Sequence, residues 1–188
     1  MLRIFFALLI SGFMLPPFFH PGQGGENTPE FPLADSTYLS VMARFSGLGV
    51  PVSFESTPAL YIELDQWLGT PHRRGGRRGI DCSGLVKIVY RSVFGMELQG
   101  SSQDLSRRAE PIAVEELREG DLVFFRTRHQ SRIDHVGIYL AGGKFIHTSS
   151  SQGVIVSGLE ERYYTRTFVH AGRLPHQAPS PPSEAEYQ

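Results

Sequence analysis

A single cysteine in 188 residues, Cys82, excludes an internal disulfide. It also leaves too few thiols for a structural zinc site that draws on several cysteines. Its role is therefore packing or reactivity. An excess of charge of either sign is missing as well: 18 Lys and Arg stand against 19 Asp and Glu, for a formal net charge of -1. That balance argues against a nucleic-acid binder, whose footprint is a net basic domain. Metal-site elements of the H-E-x-x-H or C-x-x-C type are absent, as are internal repeats. The apolar run from Ile4 to Leu15 is shorter than the roughly 20 residues a membrane-spanning helix needs.

What the chain does contain is partitioned along its length. Arg3 followed by the Ile4–Leu15 run has the form of a signal-peptide core. Residues 1–24 are expected to be a signal peptide or N-terminal anchor, placing the protein outside the cytoplasm, in the periplasm or cell envelope. The cleavage signal is weak: Gly22-Gln23-Gly24 stands where A-x-A is usual, and no cysteine follows the run to carry a lipid. Membrane contact is expected only if this leader is retained. Residues 25–58 read as a linker and short extension, 59–174 as one domain, and 175–188, rich in Pro, Ser and Glu, as a disordered tail.

Periodicity supplies the elements. Ser36 to Phe45 reads as a short helix capped by Ser36. Leu60, Leu64, Trp67 and Leu68 mark a helix over 59–68, stopped by Gly69-Thr70-Pro71 and followed by the loop "HRRGGRRG". A further helix follows Cys82, with Leu85, Val86, Ile88, Val89, Val93 and Phe94 on one face, Asp81 as its cap and Gly95 at its end. Strands are expected at Leu122–Phe125, in a hairpin formed by "DHVGIYL" and "KFIHTS", in "GVIVSG" and in "TFVHAGRL". Helices first and strands afterwards indicate an α+β domain with an antiparallel sheet.

Cys82 thus falls at a helix start, where free N–H groups favour a thiolate. A small buried hydrophobe is the commonest fate of a free cysteine, so a partner must decide between the two roles. A nucleophile needs a base, and the base an orienting group. The hairpin offers His135 and His147. A two-residue turn at Gly142-Gly143 puts them on opposite faces; a three-residue loop, Ala141-Gly142-Gly143, pairs Leu140 with Lys144 and His147 with Gly137. Only the longer loop puts both histidines on one face. The Cys/His/His set is also a conceivable zinc site, without a motif to support it.

Four blocks in order, "LGTPHRRGG…GIDCSGLVKIVY", "LREGDLVFFR", "DHVGIYLAGGKFIHTSS" and "TFVHAGRL", resemble the NlpC family of bacterial cell-wall cysteine endopeptidases over about Leu60–Leu174. The resemblance implies a papain-like α+β fold, with Cys82 as nucleophile, His135 as base and His147 as the residue that orients it. It implies substrate-binding roles for Asp81 and Ser83, and no cofactor or metal. The implied substrate is a peptidoglycan stem peptide, cut between D-glutamate and meso-diaminopimelate or at the D-alanine–meso-diaminopimelate cross-link. One departure stands out: His72 occupies the place of the family's usual tyrosine, where it can donate a hydrogen bond but changes charge near neutrality. Arg74, within the cluster Arg73, Arg74, Arg77 and Arg78, is suited to the carboxylates of such a peptide. A weakly catalytic wall-binding or regulatory module on the same fold is the alternative. A thiol acyltransferase would use the same residues but needs a lipid groove that no apolar segment supplies.

Overall fold

The computed structural model describes residues 36–53, 55–73, 79–128 and 131–175. The expected leader, the linker up to residue 35, Arg74, Arg77, Arg78 and the tail beyond Pro175 lie outside the described residues. The helices are α1 (Ser36–Gly47), α2 (Pro58–Asp65), α3 (Cys82–Phe94), α4 (Ser102–Arg108) and α5 (Arg162–Thr167). The strands are β1 (Glu110–Ile112), β2 (Leu122–Phe125), β3 (His135–Tyr139), β4 (Lys144–Ser149), β5 (Gly153–Gly158) and β6 (Phe168–Arg173). They form one sheet in the order β1-β6-β2-β3-β4-β5, antiparallel at every pairing. The α+β class expected from the order of elements is the one observed.

The sheet is covered on both faces. Val41, Met42 and Phe45 of α1, Leu60 and Leu64 of α2, and Leu85, Val86 and Val89 of α3 share a core with Leu122, Phe124, Val136, Ile138 and Ile146. The core therefore reaches upstream of residue 59 to α1. On the other face Val123, Phe125, Phe145 and Ala171 pack with Tyr164 of α5. Alternation divides "LVFF" between the two layers, so all four residues are buried and the strand is apolar throughout. An ion pair joins β6 to the turn before β2: half-buried Arg173 donates through Nε and Nη2 to the two oxygens of the buried Asp121 carboxylate, each at 2.7 Å.

Helix α3 begins and ends where its signals stand. The Asp81 carboxylate accepts from the Gly84 N–H at 2.7 Å, and Gly95 closes the helix at φ 64°. Helix α2 stops at Asp65, short of the expected Leu68, because residues 66–69 form a turn. Ser36, expected as a cap, lies within α1. Helices α4 and α5 and strand β1 were not legible as elements, although the Ser101/Asp104 capping box that starts α4 follows a known pattern.

Candidate active site

The β3–β4 hairpin takes the three-residue loop. Lys144 N–H donates to the Ala141 carbonyl at 3.0 Å and Leu140 N–H to the Lys144 carbonyl at 2.9 Å, with Gly142 and Gly143 at φ 58° and 75°. Ile138 then pairs with Ile146 and Tyr139 with Phe145, which sets Gly137 opposite His147. His135 and His147 consequently share a face, and His135 Nε2 lies 3.0 Å from His147 Nδ1. Gly137 is required here: a Cβ at this position would come within 2.6 Å of the Phe145 ring, which itself packs against His147.

The histidines lie on the face opposite α3, while Cys82 arrives from the helical side. Cys82 reaches the sheet at the start of β3, beside the Val136 backbone. Cys82 packs against the helical core, and the backbone N–H of Val136, the residue after His135, lies near enough to its sulfur to favour the charged form. His147 engages His135 Nε2, so Nδ1 is the ring nitrogen not committed to His147.

Other expected residues gather at the same place. Asp81 caps α3 and accepts from Ser83 Oγ at 3.0 Å, which joins the two flanking side chains to each other. His72 forms a bridge with Ile80, and Arg73 N–H donates to the Ile80 carbonyl at 3.2 Å. This narrow neck holds His72 near enough for its charge to lower the pKa of His135. Thr70, two residues earlier, accepts from Val154 N–H at 2.9 Å, and a side chain at Gly153 would strike the Thr70 carbonyl. The segment leading to His72 is thus anchored on β5.

Burial dominates the electrostatics. It depresses His135 from 6.5 to about 4 and, with the neighbouring His135 charge, His147 to about 3. It also raises the Cys82 thiol, ahead of the lowering by the Val136 N–H. The expectation of a thiolate favoured by the helix start is therefore overturned: desolvation outweighs the N–H groups. Burial thus favours the neutral thiol and the neutral imidazoles. Among the described residues no His, Cys, Asp or Glu side chains are grouped to hold a metal ion.

Two polar partners of His147 went unrecognised in the sequence. His147 Nε2 lies 2.9 Å from Tyr164 Oη and 3.3 Å from Ser157 Oγ. Tyr164 belongs to the unforeseen helix α5. Ser157 lies on β5 beside β4, and the register of "GVIVSG" against "KFIHTS" was its only available signal. A cleft of about 190 Å³ runs past both histidines, lined also by Thr127, Arg128, Tyr163 and Tyr164.

Comparison with known proteins places these features. The chain is 40% identical over 118 residues to a probable endopeptidase NlpC homolog of Haemophilus influenzae, covering 62% of each chain. It is 40% identical over 110 residues to the murein DD-endopeptidase MepS/murein LD-carboxypeptidase of Escherichia coli, covering 57% of each. The matched part thus spans less than two thirds of these relatives. Among solved structures, the NlpC/p60 domain of the peptidoglycan hydrolase SagA superposes with TM-score 0.52 at 28% identity, covering 62% of this chain and 97% of that one. An NLP/P60 protein similar to a lipoprotein, from Staphylococcus aureus, gives 0.57 at 29% identity, covering 67% and 46%. The NlpC/P60 family model matches residues 69–173, from the anchored segment before His72 to the strand that ends at Arg173, and the chain belongs to that family.

Proposed function

We propose that the protein is an exported cysteine endopeptidase that hydrolyses an amide bond in peptidoglycan stem peptides. The observation that carries this reading is the 3.0 Å bond between His135 Nε2 and His147 Nδ1 at the strand end where the Val136 N–H meets the Cys82 sulfur. His135 Nδ1 takes the thiol proton as Cys82 Sγ attacks the amide carbonyl carbon. His147 accepts from His135 Nε2–H and is itself held by Tyr164, so the developing imidazolium is stabilised where it forms. The Cys82 backbone N–H is the candidate donor to the oxyanion. When the C–N bond breaks, His135 returns the proton to the leaving amine. It then deprotonates the water that cleaves the thioester, and Cys82 recovers its proton.

Asp81 and Ser83, already bonded to each other beside the nucleophile, are placed to receive a substrate amine, and His72 to donate to substrate or oxyanion. Relatives named as murein DD-endopeptidases favour the D-alanine–meso-diaminopimelate cross-link as one of the two candidate bonds. The test is digestion of purified Gram-negative peptidoglycan by the wild type and by Cys82→Ala, with products identified by mass spectrometry. New fragments from the wild type alone are expected, and their masses name the bond. No fragments from either folded protein between pH 5 and 8 would replace the hydrolase with a wall-binding module.

A further inference from the structure

Beside the histidine cleft lies a second, larger concavity of about 740 Å³, lined by Arg126, Arg128, Arg162 and Arg166 together with Thr127 and Tyr163. Thr127, Arg128 and Tyr163 also line the cleft past His135 and His147, so the two hollows adjoin. The chain as a whole is balanced in charge, yet here four guanidiniums converge and, among the described residues, no carboxylate lines the hollow. All four side chains are exposed, and among the described residues none is in an ion pair.

The nearby acids are held elsewhere. Asp134 accepts from the backbone N–H groups of Thr127 and Arg128 at 2.6 and 2.8 Å, fixing the turn that presents Arg128. Glu161 accepts from the Gly158 N–H at 2.6 Å. The Arg126 N–H donates to the Thr167 carbonyl at 2.8 Å, which binds the β2 side of the hollow to the end of α5. Two arginines therefore come from the end of β2 and two from α5, on backbones tied together.

We propose that this basin is a subsite for a peptide strand bearing at least two free carboxylates, the partner strand of a cross-linked stem peptide whose scissile amide lies at Cys82. The inference rests on the peptidoglycan reading above and specifies its substrate. Every cation in the hollow is an arginine, whose planar fork matches a carboxylate with two parallel hydrogen bonds. The three residues shared with the histidine cleft let one ligand reach from the basin into it.

The test uses full-length Cys82→Ala protein, titrated calorimetrically with a purified cross-linked tetrapeptide dimer and with the same dimer amidated at its free carboxyl groups. The free-carboxylate dimer is expected to bind at least about tenfold more tightly, the worth of one good charge-assisted contact. Adding Arg126→Gln and Arg166→Gln, singly and together, is expected to erase that preference while leaving the thermal transition in place. In the background that retains Cys82, the same changes raise KM for the free-carboxylate dimer and leave turnover of the amidated dimer unchanged.

Equal binding of the two dimers, or a preference that survives loss of both arginines, overturns the subsite. Displacement of the dimer by inorganic polyphosphate at lower concentration than by free-carboxylate dimer also overturns it, making the hollow a phosphate site. Failure of the Cys82-containing protein to cut either dimer refutes the hydrolase alone, because binding is read on the inactive variant.

Discussion

Acid exposes the cost of burying two histidines. In the native state His135 and His147 titrate near 4 and 3, against 6.5 for a solvated imidazole. A depressed native pKa means that the stabilisation is fully present above pH 6.5 and is lost as pH falls towards 4. By pH 5 the unfolded chain has taken up nearly two protons on these residues and the native pair almost none. Integrated from pH 7.5 to 5, that difference removes about 4 kcal/mol of stability. A domain of this kind holds only about 5–15 kcal/mol in total. The assay is urea unfolding at half-unit steps over that range, for the wild type and for His147→Gln. The wild type should lose about 4 kcal/mol and the variant, with one buried histidine fewer, about 2 kcal/mol. Other titrating groups contribute alike to both proteins and cancel in the comparison. Stability curves that run parallel would refute the assignment of two neutral, buried imidazoles.

Tyr164→Phe removes the 2.9 Å partner of His147 Nε2 and leaves Ser157 at 3.3 Å. On the proposed mechanism kcat should fall about threefold to tenfold, the worth of one neutral hydrogen bond, with KM unchanged. Arg173→Ala strands the buried Asp121 carboxylate and should cost about 3 kcal/mol in chemical denaturation. Alkylation of Cys82 by a neutral reagent should be slow at pH 7 and still rising above pH 9, because burial raises the thiol. A rate already level at pH 6 would show an ion pair between thiolate and imidazolium instead.

The local grammar of this chain was legible without a structure. Asp81 and Gly95 bound α3, and the stretches "KFIHTS" and "GVIVSG" coincide with β4 and β5. The glycines after Ala141 allowed a loop that turns both histidines to one side, because side-chain direction in a strand follows from residue count alone. Neighbours distant in sequence were another matter. Tyr164 reaches His147 from a six-residue helix with no strong periodic signal, and its role exists only because α5 closes over the second face of the sheet. Arg126 and Arg166 are 40 positions apart and share a hollow only through the backbone bond that joins β2 to the end of α5. The helix start singled out Cys82, but the direction in which its thiol pKa moves follows from tertiary burial. Desolvation depends on everything packed around the sulfur, and no stretch of sequence around residue 82 contains that information.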